Sequence, residues 1–160
     1  MTPQTLDRTL TAFRIGDAQG AYPIFDATGS RLAPGRWNTA RTPIIYASEH
    51  YSTAMLEKLV NGSGDLPPHQ HFIEITIDAG VTYEMFSTDH HPGWETPESA
   101  TARRFGESWA QQIRSAVLIV PSVVARMERN ILINPAHPDF PAIRASLHQP
   151  VWWDGRLFGR

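Results

Sequence analysis

The chain has 160 residues, 41% of them hydrophobic and 19% charged, a balance that fits one compact domain spanning residues 1–160 and excludes disorder and coiled coil. Its 5 Trp, 7 Phe and 4 Tyr supply the aromatic area of a core, and a formal net charge of -2 excludes the global basic field that non-specific nucleic-acid binding needs. The absence of cysteine excludes disulfides, thiolate zinc sites and a cysteine nucleophile.

From the N-terminus, polar and charged residues interrupt Met1 to Ile15 where a signal peptide needs an apolar run. The longest aliphatic run, Ala116 to Val120, stops at Pro121, far short of the roughly 20 residues of a membrane span. A soluble, cytoplasmic protein is expected. Thr11 to Ile15 reads as the first strand, and the stretch from Gly16 to Trp37 as a long loop of the kind that often binds or closes over a ligand. Ile44 to Ala47 is a second strand. A helix follows from a Ser48 N-cap to an Asn61-Gly62 stop, with Tyr51, Met55, Leu56, Leu59 and Val60 on its apolar side.

After a loop over Asn61 to Gln70, Phe72 to Ile77 alternates Ile73, Ile75 and Ile77 with Glu74 and Thr76, a half-buried strand. A Thr88 to Thr96 loop precedes a helix from about Pro97 to Arg114, in which Phe105, Trp109 and Ile113 recur every four residues. Strands at Val117 to Val120 and Ile131 to Ile133 complete the set. Strands and helices mix without regular βαβ alternation, so the class is α+β.

No GxxxxGK[ST] loop, GxGxxG turn or GxSxG elbow is present, which argues against P-loop, Rossmann and α/β-hydrolase sites. His69 and His71 would share one face of an extended segment, with His90 and His91 nearby, but without an HExxH pattern or accompanying carboxylates metal is disfavoured. The basic residues are Lys58 and 13 arginines, a bias that suits an anionic ligand or merely reflects the base composition of the gene. Gly29 to Asn38 gathers Arg31, Arg36, two glycines and Trp37 in one turn-prone segment. It suits a phosphate cradle, or a surface turn with Trp37 buried.

Glu57 falls almost opposite the apolar stripe of its helix, a solvent-facing carboxylate by periodicity. If that face borders a cleft, it can hold a ribose hydroxyl and stabilise positive charge on a sugar carbon. Tyr46, at the strand end before this helix, can reach the same cleft or serve as packing. Ser122, after Pro121, reads in isolation as a strand-ending turn residue.

Taken in order, Phe13-Arg14-Ile15, the Arg31 to Asn38 segment, Ile45-Tyr46-Ala47, Leu56-Glu57, Val120-Pro121-Ser122, Asn130-Ile131-Leu132-Ile133-Asn134 and Asp154-Gly155-Arg156-Leu157-Phe158 resemble the RES-domain family, the toxins of bacterial type II RES-Xre toxin-antitoxin pairs. The resemblance implies an ADP-ribosyltransferase-like fold of central split β-sheets with flanking helices. It implies NAD+ as substrate, no metal, and growth arrest through NAD+ depletion or ADP-ribosylation of a target protein. Matched position by position, Glu57, Arg14 and Ser122 are the implied catalytic residues, and Arg14, Arg31, Arg36, Tyr46 and Ser122 the implied NAD+-binding set.

In that picture the arginines bind the pyrophosphate, Tyr46 packs against nicotinamide or its ribose, and Ser122 orients the dinucleotide. The implied partner is an Xre-like helix-turn-helix antitoxin that occludes the site and carries any DNA contact. Two other classes stay open: a non-catalytic module that recognises an anionic partner, and an RNase-like toxin using some of the seven histidines. The acidic pI of about 6.4 counts against RNA.

Overall fold

A computed structural model describes residues 3–62 and 65–159. The expected loop over 61–70 therefore lies partly outside the described residues. Among the described residues nine strands form one sheet: β1 (Gln4–Thr5), β2 (Leu10–Asp17), β3 (Ile45–Ser48), β4 (Gln70–Ile77), β5 (Thr82–Met85), β6 (Val117–Pro121), β7 (Arg129–Ile133), β8 (Ile143–Ala145) and β9 (Gln149–Pro150). Three α-helices accompany them: α1 (Thr28–Leu32), α2 (Tyr51–Asn61) and α3 (Ala100–Gln111). The strand order is β1-β5-β6-β7-β3-β2-β4-β8, with β9 also on β4, and every pairing except β5 with β6 is antiparallel. No described helix is long and apolar enough to cross a membrane.

The α+β class expected from the sequence is observed, but the strands follow one hydrogen-bonded path where the resemblance implied split sheets. That path narrows at one point. β2 and β3 share a single register pair, Phe13 with Ser48, whereas β2 pairs with β4 at eight positions. The sheet thus consists of two halves joined by one bridge, and the large cleft of the protein opens where they part.

Burial explains the strand patterns. On β6, Val117 and Ile119 join one core while Leu118 and Val120 join another, so the strand is apolar throughout because both faces are covered. The first core gathers the isoleucines of β4, Ile131 and Ile133 of β7, and Ile45 of β3. The second packs α3, through Ala102, Trp109 and Ala110, onto Leu118, Val120 and Leu132, with Trp37, Phe86 and Trp94 alongside. A smaller cluster of Ile15, Ala54 and Val151, flanked by Phe13, Tyr51, Met55 and Phe72, seats α2.

Both helices are shorter than expected. The N-cap of α2 is His50, and Ser48 is the last residue of β3. α3 begins after Ser99, whose φ of 59° breaks the chain direction following Pro97, and it ends before Ile113, which is 43% exposed with a φ of 49°. The expected loop before Trp37 holds the end of β2 and the single helical turn α1.

Candidate active site

Beyond Phe13 and Ser48 the neighbouring strands separate, and a cleft of about 1110 Å³ opens between them, at the large end of small-molecule sites. Arg14 spans the gap. Its Nε donates to the Ile24 carbonyl at 2.7 Å and its Nη1 to the Tyr46 carbonyl at 2.8 Å, so a side chain replaces the missing ladder between β2 and β3. Burial draws the guanidinium below its ordinary pKa, against the opposing pull of Tyr22, Asp26 and Tyr46, and an arginine stays charged regardless.

Across the cleft, α2 turns Ala54, Glu57 and Lys58 inward. These positions, three and four apart, share a face, Val60 and Asn61 also border the cleft, and Leu56 is 41% exposed. The expected solvent-facing Glu57 is therefore corrected. One side of the helix packs through Tyr51, Ala54 and Met55 on the apolar cluster, and the adjoining side carries Glu57 to a polar floor. Glu57 Oε1 accepts from Ser122 Oγ at 2.8 Å and from Asn130 Nδ2 at 2.9 Å. Oε2 has no hydrogen bond among the described residues.

Ser122 is wholly buried, and its hydroxyl is committed, donating to Glu57 and accepting from the Ala125 N–H at 3.0 Å. Ser122 is not among the residues that line the cleft, and its hydroxyl meets Glu57 from behind. Asn130, half-buried and lining the cleft, carries no role in the sequence-based reading. Its signal was only its place in the Asn130 to Asn134 run, because a strand-end asparagine looks like any other until its neighbours are known.

The Gly29 to Asn38 segment folds around Asn38, which is fully buried. Its Oδ1 accepts from Gly35 N and Tyr46 Oη, at 2.8 and 2.7 Å, and its Nδ2 donates to the carbonyls of Ser30 and Thr39. The Gly35 amide is consequently engaged and Trp37 packs in the core against Phe86 and Trp94, while residues 33–37 line the cleft. Gly35 is required because a Cβ there would stand 2.8 Å from the Tyr46 ring. The Tyr46 hydroxyl also accepts from Trp37 N at 3.0 Å, and burial pushes its pKa well above the ordinary tyrosine value.

Arg36 lines the cleft, its Nη1 donating to the carbonyls of Trp94 and Thr96 at 3.1 and 2.7 Å. Desolvation lowers its pKa and the nearby Glu57 charge partly restores it. Arg31 lies elsewhere. In α1, Ser30 points inward to bond both Ile44 N and Ile44 O, which turns the next residue out to the surface beside a separate cavity of about 280 Å³.

The structure thus brings Arg14, Arg36, Tyr46 and Glu57 to one cleft with Ser122 behind, and leaves Arg31 outside it. It adds Arg103 of α3 and Lys58. Lys58 is held below the ordinary lysine pKa by burial and by Arg14, with Asp17 opposing. The cleft therefore sets the anchored Glu57 and a second carboxylate, Asp17, among four cations, a combination suited to an anionic substrate whose reacting atom becomes positive. The histidines first considered for metal are dispersed: His71 pairs with His148 at 2.8 Å, and His91 stacks on Phe86.

The chain is 35% identical over 156 residues to the Prs ADP-ribosylating toxin of Sphingobium sp. (strain YBL2), covering 93% of this chain and 97% of that one. It is 29% identical over 141 residues to Toxin Res of Pseudomonas putida (strain KT2440), covering 86% of this chain and 95% of that one. Its fold resembles the crystal structure of the M. tuberculosis MbcT-MbcA toxin-antitoxin complex, with a TM-score of 0.65, 14% identity, and coverage of 91% of this chain and 85% of that one. The RES domain model matches residues 11–154, and the chain belongs to the RES domain family.

Proposed function

We propose that this protein is the toxin of a toxin-antitoxin pair and that it consumes NAD+, breaking the bond between nicotinamide and ribose. The observation that carries the proposal is Glu57, a carboxylate pinned through one oxygen, with the other unbonded among the described residues, in a cleft lined by Arg14, Arg36, Lys58 and Arg103. A relative named for ADP-ribosylation, aligned over nearly the whole chain, supports the same substrate.

The chemistry follows from charge. When the C–N bond breaks, its electron pair leaves with nicotinamide, which departs neutral and needs no general acid, and the ribose carbon is left as an oxocarbenium cation. Glu57 stabilises that cation and is placed to take a proton from the incoming acceptor, while the cations hold the pyrophosphate still. Arg14 and Arg36 are pre-organised for this by bonds to backbone carbonyls, which fix the planes of their remaining donors.

The acceptor is a protein side chain, giving ADP-ribosylation and growth arrest, or else water or phosphate, giving NAD+ depletion; one cation-stabilising cleft serves all three. A cognate Xre-like helix-turn-helix antitoxin is proposed to cover the cleft in the cytoplasm, supported by the toxin-antitoxin assembly of the structural neighbour. The test is nicotinamide release from NAD+ by the purified protein in buffer, with phosphate and with cell extract, beside Glu57→Gln. Loss of one carboxylate charge at the reacting centre is expected to lower turnover by roughly a hundred- to a thousandfold, with the fold intact by circular dichroism. Full turnover in the variant removes Glu57 from the mechanism, and no release under any condition returns the protein to the binding-module class.

A further inference from the structure

Asn130 stands directly opposite Ser48 on β3 and Val120 on β6, and Ser122 comes two residues after Val120. Three adjacent strands therefore set Ser48, Asn130 and Ser122 close together, and Glu57 reaches them from α2. An asparagine amide has a donor end and an acceptor end, and a carboxylate only accepts. With Glu57 Oε1 at 2.9 Å, the Asn130 NH₂ must face it, since the reverse orientation would set oxygen against oxygen. Oδ1 then points to Ser48, whose buried hydroxyl donates to it at 2.8 Å. Each end of the amide has one complementary partner, and the group cannot turn over without losing both bonds.

The last torsion of a glutamate is broad, so a single hydrogen bond would leave the carboxylate free to swing. Two donors converging on Oε1 from β7 and from the end of β6 remove that freedom. We propose that Asn130, braced by Ser48, is a positioning residue for NAD+ cleavage: with Ser122 it locks Oε1 so that Oε2 meets the ribose carbon in one orientation. This inference rests on the assignment of Glu57 above. It gives Ser48 a role although Ser48 bonds no charged group.

The test compares kcat and KM for nicotinamide release from NAD+, under the acceptor condition that supports the unsubstituted protein, in Asn130→Leu, Asn130→Asp, Ser48→Ala and the Ser48→Ala/Asn130→Leu double variant. Losing a hydrogen bond to a charged group predicts a kcat lower on the order of ten- to a hundredfold in Asn130→Leu, with KM unchanged. Asn130→Asp keeps the shape and the bond to Ser48 but sets a second carboxylate against Glu57, so it is expected to be at least as slow as Asn130→Leu.

Ser48→Ala lowers kcat in the parent and has no further effect once Asn130 is leucine, because it acts only through the amide. Should Asn130→Leu lose its fold by circular dichroism, Ser48→Ala and Asn130→Asp carry the test. Parental kcat in the Asn130 variants, an Asp variant faster than the Leu variant, or a rise in KM alone overturns the inference while leaving Glu57 in place. Full activity in Glu57→Gln, or no release by the unsubstituted protein, overturns the reading beneath it, and both then fall.

Discussion

α3 rests on the turn that carries Arg36, and Gly106 is the point of contact. A Cβ at Gly106 would run into the Trp37 carbonyl oxygen, with the carbonyl carbon at 2.7 Å and the Trp37 Cα at 3.1 Å. Two effects therefore oppose each other in Gly106→Ala. Replacing a glycine inside a helix stabilises by about 1 kcal/mol on propensity alone. Against that stands a collision between two backbones, neither of which ends in a flexible group. Carbon contacts settle at roughly 3.5–4 Å and the oxygen lies closer still, so the turn or the helix must retreat by more than about an ångström.

Trp37 and Trp109, 3% and 0% exposed in the same cluster, leave little room for such a retreat. Overpacking of a tight core costs about 1–3 kcal/mol, and backbone displacement belongs at the upper end. The net expectation is a loss of roughly 1–2 kcal/mol, which at about 2–4 °C per kcal/mol for a chain of this size lowers Tm by about 2–8 °C. Because Arg36 adjoins Trp37, the shift also displaces a cleft cation, and misplacement on the order of 1 Å costs about a hundredfold in turnover. Thermal melting by circular dichroism and nicotinamide release measure the two effects separately. A raised Tm, which propensity alone demands, refutes the contact; a lowered Tm with parental turnover refutes its role in placing Arg36.

Tyr46→Phe removes a hydroxyl that bonds Asn38 and Trp37 N, and is expected to cost about 1–3 kcal/mol at neutral pH. Since the folded state raises the tyrosine pKa, the unfolded chain loses this proton first as pH climbs through about 10. Stability from this group is complete below that pH and falls above it, so the Tm gap between parent and Tyr46→Phe should narrow in alkali; a gap that widens contradicts the assignment. Arg14→Lys keeps a charge but cannot bond the Ile24 and Tyr46 carbonyls with a planar fork, so it should melt earlier and bind NAD+ more weakly, as read by calorimetry. Arg31→Ala should leave NAD+ affinity and turnover at parental values whereas Arg36→Ala lowers both; equal losses would return Arg31 to the cleft.

Much of the fold is legible in the chain because it depends on local pattern. Ile73, Ile75 and Ile77 alternate for the simple reason that side chains along a strand do, and the isoleucines of β4 and β7 announce buried strands by their spacing and branching alone. The short pieces β1, β5, β8 and β9 leave no such mark. They are two to four residues long and half-exposed or exposed at most positions, at or next to the rim of the sheet, and strands that short are held by their neighbours and carry little periodicity of their own.

The site divides along the same line. The kinds of residue, their order and their family likeness are properties of the chain, and they single out Arg14, Arg31, Arg36, Tyr46, Glu57 and Ser122. Which of them meet, and what each touches, depends on contacts between residues far apart in sequence. Periodicity turns Glu57 outward because it measures only apolarity around a helix, whereas the floor that receives Glu57 is polar and comes from β6 and β7, more than sixty residues away. Arg31 and Arg36 share one short segment, yet Ser30 and Asn38 bond inward and send the two guanidiniums to different cavities. Hydrogen bonds between distant strands fix such directions, and a linear pattern does not encode them.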